Sequence, residues 1–80
     1  MGLKRIMKIT VKLFATLRDF GPKIQEMSVS ENSTIEKVIK SLNLPEEISL
    51  LTIVNGVHTD PKEMLKGGDV LALFPPIGGG

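Results

Sequence analysis

The chain has no cysteine, no tryptophan and no tyrosine, and its only histidine is His58. Without cysteine there is no disulfide framework, no thiolate nucleophile and no cysteine-based metal site. No Asp/His cluster at ligand spacing accompanies His58, so no metal is expected and His58 reads as an exposed turn residue. No run of eighteen apolar residues occurs, which excludes a membrane-spanning helix; no membrane partner is expected. Net charge is only +1, with lysines scattered among acids, so no polybasic footprint marks a nucleic-acid partner. Met1-Gly2-Leu3-Lys4-Arg5 has basic residues but no apolar segment of a secretory signal. A cytoplasmic location is expected, which the lack of cysteine suits. Met7-Lys8-Ile9 could equally be the natural start, residues 1–6 then being an extension. A phosphate-binding loop, a serine–histidine–aspartate set and a glycine-rich dinucleotide turn are all missing. Glu46-Glu47 follows Pro45 and reads as a solvated turn, not as a catalytic carboxylate pair.

What is present is enough for one small domain. Eighty residues, 41% of them hydrophobic and 24% charged, make a globular chain and not a disordered one. Met7, Ile9, Val11 and Leu13 alternate with Lys8, Thr10 and Lys12, the pattern of a half-buried strand ending at Phe14. Residues 15–19 suit a short helical turn, which Gly21-Pro22 breaks. Gln25, Met27 and Val29 share one face of a second strand, with Ile24 out of phase. Ser33-Thr34-Ile35-Glu36 reads as a capping box. Ile35, Val38, Ile39 and Leu42 then form an amphipathic stripe, and Pro45 stops the helix. Residues 50–54 read as a third strand and Asn55-Gly56 as a tight hairpin turn. A short strand over 57–59 follows. Met64 and Leu65 are expected to pack down before the Gly67-Gly68-Asp69 turn. Residues 70–74 read as a central strand covered on both faces. The expected core is Ile9, Val11, Leu13, Val29, Ile35, Val38, Ile39, Leu42, Ile53 and Val70. One helix on a mixed sheet is an α+β arrangement.

The last strand runs directly into Pro75-Pro76-Ile77-Gly78-Gly79-Gly80. Taken alone, a glycine-rich end reads more readily as a linker or a frayed terminus. Here it follows a strand and two prolines, which stiffen its base. Glycine has no Cβ, so such a tail can enter a channel too narrow for other residues. A terminal carboxylate at its tip is a chemical handle for another protein. Residues 1–74 therefore read as the folded domain and 75–80 as a flexible tail.

This order of elements, with glycines just past the last strand, resembles the β-grasp, ubiquitin-like fold: a mixed sheet of four or five strands on one main helix. Within that fold the chain resembles the sulfur carrier proteins of molybdopterin and thiamine synthesis. The small subunit of molybdopterin synthase is the nearest likeness. Residues 11–18 (Val-Lys-Leu-Phe-Ala-Thr-Leu-Arg), Val54-Asn55-Gly56 and residues 68–80 carry the resemblance. The most specific phrase is Phe74-Pro75-Pro76-Ile77-Gly78-Gly79-Gly80; Gly78 stands where that branch often has Ala or Ser.

The resemblance implies a carrier without catalysis of its own, working as the small subunit of a sulfurtransferase complex. The Gly80 carboxylate would be adenylated by a ubiquitin-activating-type enzyme and converted to a thiocarboxylate. No cofactor would be bound; the partner enzyme would use ATP. The thiocarboxylate would donate sulfur inside a large acceptor enzyme, such as a molybdopterin synthase large subunit. Gly79, Gly78, Ile77, Pro76 and Pro75 would be gripped as the tail, and Phe74 and Leu71 would contact the partner. The missing cysteine fits this chemistry, because the transferable sulfur sits on the backbone terminus. Other readings are sulfur carriage for thiamine, cysteine or another thiolated product, a protein modifier conjugated through Gly80, and an interaction module with an inert tail. Arg18 reads as a solvated charge.

Overall fold

The computed structural model describes residues 5–42, 44 and 49–76. The strands are β1 (Ile6–Leu13), β2 (Ile24–Ser30), β3 (Leu51–Val54), β4 (Val57–His58) and β5 (Val70–Phe74). A 3-10 turn (Ala15–Phe20) joins β1 to β2, and the helix α1 (Ile35–Ser41) follows β2. The sheet order is β2-β1-β5-β3-β4. β1 and β5 run parallel at its centre, and every other pairing is antiparallel. This mixed sheet, with one α-helix among the described residues, is the β-grasp architecture expected from the sequence.

Alternation decides the layers. Ile9, Val11 and Leu13 of β1 and Leu71 and Leu73 of β5 point to the helix side, where they join Leu17, Ile35, Val38 and Leu65 in the buried core. The register pairs Val11 with Leu71 and Leu13 with Leu73, so the two central strands place branched side chains side by side. Thr52 is the buried polar residue of this face, and its hydroxyl donates to the Thr59 carbonyl. That bond satisfies a group whose burial would otherwise be costly.

Several expectations need correcting. Ile53 and Val70 are only half-buried and belong to the opposite sheet face, out of phase with Thr52 and Leu71. Val29, Ile39 and Leu42 flank the core and are not at its centre. Leu17, Leu65, Leu71 and Leu73 are core residues that helical or strand periodicity did not single out. Leu65 packs down as expected, but Met64 is exposed. β5 is central, yet only its Leu71 and Leu73 side is sealed. The helix cap sits one residue later than the capping-box reading. Thr34 is the N-cap, accepting from the Lys37 N–H at 3.2 Å, while the Ser33 hydroxyl donates back to the Ser30 carbonyl at 2.7 Å. The α1 helix ends at Ser41 with Leu42 as C-cap; Asn43, Pro45 and Glu46-Glu47 lie outside the described residues.

The Asn55-Gly56 turn has φ of 51° and 84°, both in the region where Asn and Gly are at least cost. Asn55 does more than turn the chain. Its Nδ2 donates to Asp69 Oδ1, and its Oδ1 accepts from the Val70 N–H, both at 2.9 Å. Gly68, at φ 86°, allows the tight turn that delivers Asp69 there. The start of β5 is thus clamped to the end of β3 before the strand runs through the sheet.

Candidate functional site: the end of β5 and the open face of the sheet

β5 leaves the sheet between its two neighbours. Phe74 is the last paired residue, opposite Leu51, and Pro75 and Pro76 follow. Proline cannot donate to a ladder, so pairing stops where the prolines begin. Pro75 is half-buried and Pro76 exposed. Ile77, Gly78, Gly79 and Gly80, the remainder of the expected 75–80 tail, lie outside the described residues.

The exit is built by the turn after β1. The Phe14 N–H donates to the Leu73 carbonyl at 3.2 Å, and the Phe14 carbonyl accepts from the Leu17 N–H at 3.1 Å. Ala15 adopts a positive φ of 53°, which swings the chain into the 3-10 turn. Leu17 is buried and anchors that turn, while Arg18 is exposed, as a solvated charge should be. The Phe14 ring stacks on Phe74 with centroids 4.3 Å apart and planes 10° from parallel. A stacked aromatic pair therefore stands at the root of the tail.

Beyond the pair stretches the sheet face that α1 does not cover. The registers align Ile24, Lys12, Ala72, Ile53 and His58 in one row across all five strands. Val70 lies in the next row beside Thr10, and Leu51 beside Phe74. Ile24 is 55% exposed. His58 is exposed on β4 and not in a turn, next to Ile53. Among the described residues no group of histidine and carboxylate side chains could hold a metal ion.

Of the two expected contact residues, Phe74 is half-buried on the open side and reachable. Leu71 is not: it is fully buried on the helix side, because its parity is opposite to that of Phe74. A partner at this register meets Val70 and Ala72 instead. Phe14, Ile24 and Ile53 are the open-face residues that sequence reasoning missed as a group. The signal was available in the alternation, since Lys8, Thr10 and Lys12 already marked which side of β1 is open.

The ThiS family model matches residues 11–80. The chain belongs to the ThiS family. A comparison with curated proteins gave no match. Among solved structures, the chain is similar to the Haloferax volcanii HVO 2177 protein (27% identity, TM-score 0.75, covering 94% of this chain and 88% of that one). It is similar to a putative molybdopterin converting factor, subunit 1, from Pyrococcus furiosus (25% identity, TM-score 0.71, 89% and 99% covered). It is also similar to SAMP1 from Haloferax volcanii (27% identity, TM-score 0.66, 91% and 99% covered). This ThiS-family chain is thus a ubiquitin-like protein of β-grasp fold, related to sulfur carriers and to small archaeal modifiers.

Proposed function

We propose that this ThiS-family chain is a sulfur carrier whose terminal Gly80 is adenylated and then converted to a thiocarboxylate. The observation that carries the reading is the end of β5. A central strand, clamped at its start by Asn55 and Asp69, runs out of the sheet at Phe74 into Pro75-Pro76 and the glycines. On this reading a folded body offers its glycine end to an enzyme. The carboxylate oxygen of Gly80 attacks the α-phosphate of ATP, and pyrophosphate leaves. The acyl adenylate has a good leaving group where the carboxylate had none. A persulfide sulfur attacks the acyl carbon and expels AMP. A thiol then reduces the acyl disulfide to the thiocarboxylate, itself ending in a disulfide with the donor. Every catalytic side chain in this sequence belongs to a partner, an adenylating enzyme of the ubiquitin-activating type.

The open sheet face, with Phe74, Ala72, Ile53 and Ile24, is where such a partner would hold the body. Holding it matters, because ordering three glycines costs roughly 3–6 kcal/mol at 1–2 kcal/mol per residue. The likeness to a molybdopterin converting factor subunit supports molybdopterin assembly as the destination, with a molybdopterin synthase large subunit as the acceptor enzyme. A second reading, conjugation of Gly80 to lysines of other proteins, is favoured by the likeness to SAMP1.

The test is ATP-dependent adenylation with the cognate activating enzyme, followed by intact mass. Replacement of one oxygen by sulfur is expected on the native chain. Deleting Gly80 withdraws the carboxylate by about 3.3 Å, and adding one residue moves it outward by as much, so both are expected to lose the reaction with the fold unchanged. Gly79→Val should fail as well, since its branched side chain would block a channel shaped for backbone. Equal adenylation of the extended chain would overturn the proposal. Sulfur on the terminus supports carriage, whereas addition of the whole chain to other proteins supports conjugation.

A further inference from the structure

A groove of about 370 Å³ runs between β2 and α1, on the far side of β1 from β5. Met27, Val29 and Val38 supply its apolar lining, Ser28 and Ser30 its strand side, and Lys37 the only charge among its described lining residues. Beside it lies the unpaired edge of the sheet. Among the described residues β2 is bonded on one side only, to β1. At the two ends of that ladder the Leu13 N–H donates to the Lys23 carbonyl at 2.9 Å and the Glu31 N–H to the Arg5 carbonyl at 2.7 Å. Odd-numbered residues of β2 therefore face β1. Antiparallel alternation turns the N–H and C=O of Ile24, Glu26 and Ser28 outward, together with the Ser30 N–H. The Ser30 carbonyl is already taken by the Ser33 N–H and hydroxyl. No proline interrupts β2, and Glu26 is its one charged residue, so the edge is lightly protected against strand pairing.

We propose that this edge and groove bind an extended segment of a partner protein as a sixth strand, with alternate apolar side chains over Met27, Val29 and Val38 and a carboxylate side chain at Lys37. Main-chain bonds to Ile24, Glu26 and Ser28 hold the segment, and the groove selects its side chains. A second copy of this chain fits less well. On the groove side its β2 offers Gln25, Met27 and Val29, none of them anionic, and it brings a second Lys37. The proposal does not rest on the chemistry of the tail. Met27 lies level with Ile9 and Ser30 with Ile6, and β1 separates both from β5. A segment in the groove leaves Phe74 free for another enzyme.

The probe is a blocked heptapeptide alternating threonine and valine, with aspartate at each end, titrated into the full ¹⁵N-labelled chain. Its control carries lysine at each end. The expected result is shifts of the Ile24, Glu26, Ser28 and Lys37 amides with the aspartate peptide, and none over Leu71–Phe74. The lysine peptide should bind at least tenfold more weakly. Lys37→Glu, at an exposed position, should reverse that preference. Ser28→Pro should abolish binding, because it removes an outward N–H without touching the β1 ladder. If Ser28→Pro fails to fold, the charge reversal alone decides. No shift at millimolar peptide, shifts centred on the open face, or equal binding of both peptides would overturn the proposal. So would β2 shifts that depend on protein concentration and that the peptide cannot displace, which would assign the edge to a second copy. Adenylation of Gly80 should be unaffected by Lys37→Glu, so this proposal and the carrier reading fail separately.

Discussion

The two faces of the sheet are built from the same five strands and differ in what covers them. On the helix face Ile9, Val11, Leu13, Leu71 and Leu73 are each at most 1% exposed. On the open face the residues between them include Ile24, Ile53, Val70, Ala72 and Phe74, half-buried or exposed, mixed with Lys8, Lys12, Glu26 and His58. A strand with one face meant only for water would alternate polar with apolar. In β5 it does not, since Val70 to Phe74 is apolar at every position. The helix explains half of that strand. The other half has no cover within the described chain, and it lies beside the exit of the tail. The comparison therefore separates residues that hold the fold from residues that remain for a partner.

The largest test of that division is a pair of neighbours in β5 and β3. Leu71→Ala removes a fully buried side chain and is expected to cost about 2–5 kcal/mol. Ile53→Ala, on the open face, is expected to cost below about 1.5 kcal/mol, since a half-exposed site rehydrates instead of leaving a cavity. Urea unfolding with unchanged slope measures both. Equal costs would erase the distinction between the faces.

A smaller test concerns what keeps the faces apart. Sliding β5 by one residue would expose Leu71 and Leu73 and turn Val70, Ala72 and Phe74 inward. The Asn55–Asp69 clasp fixes that register at the start of the strand. Besides the two side-chain bonds of Asn55, the Asn55 N–H donates to the Val70 carbonyl, and the Thr10 N–H to the Asp69 carbonyl, each at 2.9 Å. Asn55→Ala loses both side-chain bonds and places alanine at a positive φ, for an expected cost of about 1–3 kcal/mol. Amide exchange at Val70 should accelerate more than at Ile9. Unchanged exchange at Val70 would mean that packing alone sets the register.

How much of this was legible in the sequence follows from the same alternation. The order of elements, the Asn55-Gly56 turn and the helix-side residues of β1 were legible, because period-two patterns and turn chemistry are local signals. Val70 was misplaced because an all-apolar strand carries no parity of its own, and Ile53 because the polar Thr52 beside it is the residue that faces inward. Only pairing with Thr52, Leu73 and Val11 reveals which residues face the helix. Leu71 was offered to a partner for the same reason. Leu17 and Leu65 sit in irregular segments, where periodicity is silent. Ser33 looked like the cap because Ser33 and Glu36 have capping-box spacing. The structure spends that hydroxyl on the β2 end and caps with Thr34 instead. The glycines of the tail carried the functional reading through composition and position.

The smallest effect expected on stability is the most informative about the exit. Phe14 and Phe74 stack at 4.3 Å on the open side, where burial alone gives little. Stacked pairs contribute about 0.5–1.5 kcal/mol beyond their buried area. A double-mutant cycle with Phe14→Leu and Phe74→Leu should return a coupling in that range. If the pair served only the fold, its loss would show in unfolding and nowhere else. If it positions the root of the tail, Phe74→Leu should raise the KM for the proposed adenylation while leaving kcat nearly unchanged, because the substitution does not touch Gly80. Phe74→Glu should preserve the fold, since the position faces away from the core, and remove binding of the activating enzyme. Global unfolding of Phe74→Glu would assign this ring to the core and break the division between the two faces at its most important residue.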